Sequence, residues 1–466
     1  MTYLSFLAGT ASGNSPVNSS FFGEMLQTIA DRGRALMARD RRPPSEQLSA
    51  NLVDLCEQLL SGRGEASGVA LASEILTGYE ELTSGSRVAF FESLASKFGP
   101  DHERLAAAIE TWRADPSDAT AAGVHKAAEP RRQELLRRLN LAPGGTVALV
   151  AMREHLLDAL ARRDDLAAVD RDFVHMFQSW FNRGFLVLRR IDWSTPANIL
   201  ERIIRYEAVH RINGWDDLRR RIDPPDRRCY AFFHPALVDD PVIFVEVALT
   251  REIPGAIDPI LTMQGEPIEN RQPTTAVFYS ISNCQRGLTG VSFGNFLIKQ
   301  VAEEIAREYP KLSRFVTLSP VPGFAAWLRR ELAAEDSKAL KPEDRAVLAE
   351  IDGDGWQSNP QALKEPLLRA AAWYFLYAKS RNGAPVDPVA RFHLGNGARL
   401  ERINWLGDTS ENGLAQSHGL MVNYLYDLAD IEKNHEAFAQ QRTVVASNAV
   451  TRLVRAPAFD LTSLVG

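Results

Sequence analysis

Apolar residues recur three and four positions apart through the first part of the chain, and this spacing predicts helices. Leu48, Leu52, Leu55 and Leu59 form one such stripe, opened by Pro43-Pro44 and closed by Ser61-Gly62. Further stretches rich in Ala, Leu, Arg and Glu are punctuated by Gly85, Gly99-Pro100, Pro116 and Pro143-Gly144-Gly145. Breaks this short predict antiparallel neighbours and hence a helical bundle. Near residue 170 the pattern changes, and seven of the eight tryptophans lie beyond that point. Residues 229–234 (CYAFFH) and 242–249 (VIFVEVAL) are aromatic and β-branched runs around a Pro- and Asp-containing loop, which predicts a hairpin. A third strand is predicted over 275–281 (TAVFYSI), then a glycine loop, a helix over about 294–309, and a short strand over 315–318 (FVTL) ending at Ser319-Pro320. Helical spacing returns over 361–379 and 436–454. Helices first, then mixed strands and helices, predict an α+β chain.

Composition narrows the class. With 466 residues, 45% hydrophobic and 24% charged, the chain has room for two to four globular domains. It is not a disordered, collagen-like or disulfide-scaffold protein. Lys and Arg total 53 against 59 Asp and Glu, a net charge of −6. No basic excess is present to neutralise a phosphate backbone, so nucleic acid is not the expected partner. Three widely spaced cysteines, Cys56, Cys229 and Cys284, build neither a disulfide framework nor a zinc site and fit a reducing compartment. No run of about 18 apolar residues is long enough to span a membrane. Residues 1–30 contain no Lys or Arg to start a signal peptide. A cytoplasmic protein is the expectation.

Three segments carry candidate chemistry. The first runs Gln285-Arg286-Gly287-Leu288-Thr289-Gly290-Val291-Ser292-Phe293-Gly294, between a predicted strand and a predicted helix. Glycines let backbone N–H groups approach one anion, and the helix adds the positive end of its dipole. The segment is neither a Walker A loop nor a G-x-G-x-x-G fingerprint. Its residues alone fit a tight turn equally well, and Arg286 fits either a phosphate contact or a solvated surface. The second is Thr317-Leu318-Ser319-Pro320-Val321-Pro322-Gly323, where a serine ends a strand before a stiff turn. Ser319 is a candidate reacting group, or else the cap of a helix starting near Gly323. The third contains His393, a natural proton donor near neutral pH, although an apolar setting also suits a hydrogen-bonded core histidine. Tyr424 and Tyr426 supply hydroxyls or simply aromatic core. The histidines form no H-E-x-x-H or Cys/His cluster, which disfavours a metal enzyme.

Five stretches taken together carry a resemblance: HPALVDDPVIFVEVALT, YSISNCQRGLTGVSFGNFLIKQV, LSPVPGF, FHLGNGARLERINWLGD and GLMVNYLYDL, spread from about residue 200 to 430. In these the chain resembles the malonyl-CoA decarboxylase family. The resemblance implies a helical N-terminal domain (1–172) for self-association into a tetramer and a GNAT-type, acetyltransferase-like catalytic domain (173–466). It implies conversion of malonyl-CoA to acetyl-CoA and CO2 in fatty acid metabolism. No metal or prosthetic group is implied, CoA being part of the substrate. Ser319 and His393 match the family's catalytic residues, and Tyr426 matches a supporting tyrosine. Residues 289–295, with Thr289, Gly290, Val291, Ser292, Phe293, Gly294 and Asn295, match the CoA-contacting loop, flanked by Arg286 and Gly287. One departure is Ser292, where many relatives carry Glu. A GNAT-type acyltransferase passing the acyl group to an amine, and a non-catalytic acyl-CoA-sensing scaffold, are the alternative readings.

Overall fold

The structure, a computed structural model, describes residues 45–61, 65–262, 273–291, 293, 297–351, 360–381 and 383–454. Contacts divide the chain into two compact units. One holds the described residues up to Ser179 together with Gly287–Gly290, and the other holds Trp180–Arg286 and Val291 onward. The division falls after Ser179 rather than at 172/173, because helix Ala167–Trp180 runs unbroken through that point. No helix among the described residues is long and apolar enough to cross a membrane.

The first unit is helical, as the spacing predicts. Its helices are Ser45–Leu60, Glu65–Glu80, Ser84–Ser96, His102–Ala114, Asp118–Ala128, Arg131–Leu139, Gly145–Leu160 and most of Ala167–Trp180. Leu52 and Leu59 of the predicted stripe are buried and Leu55 is half-buried. Polar residues in the breaks cap the helices that follow: Asp101 accepts from the Arg104 amide, and Ser117 with Thr120 forms a capping box. Buried rings fill the centre, with Tyr79 against Phe90 and Phe91, and Phe173 edge-on to Phe177. Two buried arginines are paired, Arg132 with Asp172 and Arg153 with Asp170. Arg153 Nη1 also donates to the carbonyls of Gly287 (2.7 Å) and Thr289 (2.8 Å).

The second unit is built on one mixed sheet. Its strands are β1 Val187–Ile191, β2 Arg227–Phe233, β3 Pro241–Thr250, β4 Thr275–Asn283, β5 Arg314–Thr317, β6 Ser319–Pro320, β7 Arg399–Asn404 and β8 Met421–Tyr426. The spatial order is β1-β2-β3-β4-β5-β8-β6, with β7 on β8. β1 to β4 are antiparallel, and β4 and β5 are parallel, joined across helix Leu297–Glu308. Helices first, then a mixed sheet with helices between its strands, are the α+β arrangement that the sequence predicts. β2 and nearly all of β3 are buried, which explains their apolar character outside Arg227, Arg228 and Glu246. Ile199, Leu200 and Ile203 of helix Ala197–Tyr206 pack with Leu218 and Ile222 against Cys229, Ala231 and Phe244 of the sheet.

Two expectations need correction. The helix over 436–454 is broken into Ile431–Gln441 and Asn448–Val454. Arg442 turns left-handed (φ 53°), and the segment after it bonds β7, Leu400 donating to Val445 O and accepting from Ser447 N. A β-branched run, Thr443-Val444-Val445, is better used beside a strand than in a helix. β1, β7 and β8 were not expected at all, and β8 proves central to the site.

Gly287 has no room for a side chain, since a Cβ there would lie 2.1 Å from Val150 O. Gly287→Ala is expected to cost roughly 1–3 kcal/mol through overpacking, read as a lowered urea midpoint at unchanged m-value. An unchanged midpoint would contradict the packing described.

Candidate active site

His393 sits in the last turn of helix Pro388–Gly395 and is 3% exposed. Asp387 caps this helix, accepting from the Ala390 amide at 2.7 Å, while Pro388 occupies the first turn, where its missing N–H costs nothing. Burial raises the Asp387 carboxyl to about 6, and the Tyr374 hydroxyl donates to it at 3.3 Å. The helix therefore presents His393 from a fixed start.

Three strands close around the imidazole. Ser319 Oγ of β6 is 3.1 Å from His393 Nε2. The Tyr426 hydroxyl of β8 is 2.8 Å from Nδ1. The Tyr424 ring, also on β8, stacks on the imidazole with centroids 4.6 Å apart. Thr317, at the end of β5, takes a 2.8 Å hydrogen bond from Ser319 Oγ. Ser319, His393 and Tyr426, far apart in sequence, are thus one connected group. Ser319 caps no helix: Phe324–Ala333 starts after Gly323 without a side-chain cap.

The electrostatics differ from the sequence expectation for His393. Burial pushes its pKa down to about 3, so the free site holds a neutral imidazole at neutral pH rather than a ready acid. Burial likewise lifts the Tyr424 and Tyr426 hydroxyls well above their usual range, so both stay protonated.

Ser319 and His393 open onto a cavity of about 250 Å³, whose wall also includes Val209, Phe278, Ile281, Asn283, Val389 and Phe392. None of its described lining residues carries a charge. Val209 reaches the wall because the turn after Tyr206 is wrapped around one buried carboxylate. Glu207 accepts from the Val209 and His210 amides and from the hydroxyls of Ser280 and Ser282. Tyr279 lines the cavity at a bulge: β3 residues 246 and 247 pair with Ser280 and Phe278, leaving Tyr279 without a partner.

The glycine loop is held with the helical unit. Arg286–Leu288 forms a short 3-10 turn, Gly287 and Leu288 are buried, and Gly290 is left-handed at φ 78°. The expectation that loop amides converge on an anion needs one correction, because the Gly287 N–H already donates to Glu154 Oε1 at 3.2 Å. Arg286, Thr289 and Gly290 are exposed, Val291 is buried and Phe293 half-buried. Ser292, Gly294 and Asn295 lie outside the described residues. Among the described residues no group of three or more His, Cys, Asp or Glu is placed to hold a metal ion. All three cysteines are free and buried, and burial lifts the Cys56 thiol to about 12.

Sequence reading missed Thr317, Asn283 and Val209. Thr317 stood in the quoted Leu-Ser-Pro segment, but nothing in a strand-end threonine announces whether its side chain accepts a bond from its second neighbour.

Comparison with known proteins agrees with this architecture. Residues 184–463 match the family model "Malonyl-CoA decarboxylase C-terminal domain", and residues 98–181 match "Malonyl-CoA decarboxylase N-terminal domain". The chain is 37% identical over 425 residues to the mitochondrial malonyl-CoA decarboxylase of Anser anser anser, covering 82% of this chain and 83% of that protein. The crystal structure of malonyl-CoA decarboxylase from Rhodopseudomonas palustris is 60% identical, with a TM-score of 0.83, covering 88% of this chain and all of that one. The one from Cupriavidus metallidurans is 35% identical, with a TM-score of 0.69, over 87% of this chain and all of that one. The chain is an α+β enzyme of the carboxy-lyase class. It belongs to the malonyl-CoA decarboxylase family.

The buried histidine has a consequence for stability. An unfolded histidine binds a proton near pH ~6.5, but His393 in the folded site does so only near 3. Between those values the unfolded chain takes up the extra proton. Relative to a His393→Gln variant, stability is therefore held above about pH 6.5 and lost as pH falls toward 3. Urea unfolding of both proteins across that window checks this; parallel curves would mean an ordinary, solvated histidine.

Proposed function

We propose that this chain decarboxylates malonyl-CoA to acetyl-CoA and CO2, without metal or prosthetic group, with His393 as the proton donor. The observation that carries this reading is the neutral His393–Ser319 pair at the head of a cavity whose described wall bears no charge. Breaking the bond to the carboxylate sends its electron pair into the thioester carbonyl and leaves an enolate. The thioester is its own electron sink, so the chemistry calls for no borrowed one.

The substrate carboxylate enters an apolar space, where a concentrated negative charge is poorly solvated. Loss of CO2 spreads that charge over the enolate. The enolate oxygen calls for preorganised donors, a contribution of ~3–4 kcal/mol per donor in comparable sites, and Tyr279, which has no strand partner at the bulge on the cavity wall, is the candidate to offer its main-chain N–H. The arriving carboxylate is also the counter-charge His393 otherwise lacks. It raises the imidazole pKa and lets the ring take a proton from solvent. After CO2 leaves, the imidazolium gives its Nε2 proton to the α-carbon, leaving a neutral ring protonated at Nδ1 that returns to its resting form by proton exchange with solvent. The balance closes: one malonyl thioester carboxylate and one proton give one acetyl thioester and one CO2. Tyr426 holds Nδ1, and the glycine loop with Arg286 contacts CoA.

Self-association, to a tetramer as the resemblance implies, is assigned to the helical unit. Helix His102–Ala114 supports this, having no buried residue and presenting Trp112 at 43% exposure. A protein lacking residues 1–172 is expected to lose mass in light scattering; an unchanged assembly would refute the role. A reducing, cytoplasmic setting suits the three free cysteines.

Purified protein incubated with malonyl-CoA is expected to release acetyl-CoA and CO2 in equal amounts, before and after thorough chelation. Product seen only with an added amine would indicate acyl transfer, and binding without turnover a sensing scaffold. His393→Asn is expected to lower kcat by ~10²–10⁴, with CoA affinity much less changed. Ser319→Ala is expected to lower kcat strongly too, and mass spectrometry of enzyme trapped during turnover is expected to show no acyl-serine.

A further inference from the structure

We propose that Thr317 is a positioning residue for this reaction: by accepting the Ser319 hydroxyl hydrogen it obliges the resting His393 to carry its own proton on Nε2, directed at Ser319. The inference rests on the reading of His393 and Ser319 given above. It follows from counting hydrogens.

Ser319 Oγ has one hydrogen and two neighbours, Thr317 Oγ1 at 2.8 Å and His393 Nε2 at 3.1 Å. The geometry between the two hydroxyls makes Ser319 the donor and Thr317 the acceptor. Thr317 Oγ1 also receives the Tyr424 main-chain N–H at 3.1 Å, and an amide N–H can only donate. Both lone pairs of that oxygen are thereby taken. Toward His393, Ser319 offers only lone pairs, so the hydrogen between them belongs to Nε2. A neutral imidazole carries one N–H and one bare nitrogen. Nδ1 is then the acceptor and Tyr426 its donor, in keeping with the 2.8 Å contact.

Thr317 is placed for this task from several sides. β5 and β8 pair through Phe315 with Tyr426 and Val316 with Leu425, and pairing resumes as Ser319 of β6 with Val422. In the gap, the Thr317 side chain takes the Tyr424 amide. The Thr317 carbonyl accepts from Asn423 Nδ2 at 2.8 Å. Asn423 is held in turn by Asn404 Nδ2 (2.8 Å) and Arg402 Nε (3.2 Å) on its Oδ1. Thr317 is fully buried and not part of the cavity wall, so it acts through Ser319. With the opposite tautomer, a bare Nε2 lone pair would face and repel the incoming carboxylate until the ring took up its second proton.

The test uses the full-length protein with 15N-labelled histidine, His393 being assigned by the signal absent from His393→Gln. In ligand-free wild type, His393 is expected as the Nε2–H tautomer; an Nδ1–H tautomer overturns the proposal, whatever any variant does. Thr317→Val keeps the shape and removes the acceptor. It is expected to move His393 toward Nδ1–H and lower kcat by at least about 10-fold, short of the ~10⁴ that a wrong tautomer costs where an orienting carboxylate is lost. KM is expected to change much less, and Thr317→Ser to restore the tautomer and most of the rate. A fall in kcat with the tautomer unmoved, or a moved tautomer with full activity, would overturn the role. Should wild type fail to decarboxylate malonyl-CoA, the functional reading falls, while the tautomer, measured without substrate, still decides the hydrogen-bond claim.

Discussion

An imidazole buried without a charged partner must have both nitrogens satisfied by neutral groups, and the site's architecture answers to that requirement. Burial removes the protonated form of His393 from the resting protein. One nitrogen then needs an acceptor and the other a donor. Ser319 and Tyr426 meet those needs from strands on either side of a sheet discontinuity. β8 is the common support: it carries Tyr424 and Tyr426 and pairs with β5, β6 and β7. The helix bearing His393 is fixed by its own buried cap, Asp387. Removing any of these would leave a polar atom orphaned in an apolar interior, at a cost of about 1–3 kcal/mol.

The same neutrality suits a reaction that starts with one localised charge and passes through a dispersed one. A fixed cation on the cavity wall would hold the carboxylate where it is. On the proposed reading, an uncharged wall would leave the carboxylate poorly solvated and the dispersed charge of the enolate better tolerated. Ionisable side chains nearby in the fold pair with one another away from that wall: the Glu246 carboxyl of β3, pushed up to about 8 by burial, lies 3.2 Å from Arg221.

The sequence announced much of this fold because local chemistry and burial agreed. β2, β3 and β4 carry the apolar runs 229–233, 242–245 and 276–279, and these became the buried centre of the sheet. β8 escaped notice because Met421-Val422-Asn423-Tyr424-Leu425-Tyr426 interrupts its apolar run with a fully buried asparagine. That asparagine is buried only because Asn404 and the Thr317 carbonyl meet it from distant parts of the chain. β1 carries two arginines and is mostly exposed, so it had no periodic signature to offer. Ser319 and His393 were recognisable as motif residues, but their 3.1 Å contact across 74 residues, and the depressed pKa of His393, are properties of packing alone.

The uncharged wall also bears on how a substrate gains entry. A dianion such as free malonate would have to shed its water with nothing around it to compensate. On the proposed reading, attraction between the nucleotide end of the thioester and its own binding groups would offset that cost at a distance from the reacting bond. The nucleotide would then be more than a handle, spending its binding on the entry of the carboxylate. The enzyme would in this way distinguish malonate in its activated form from the free acid without any group that inspects the thioester sulfur itself.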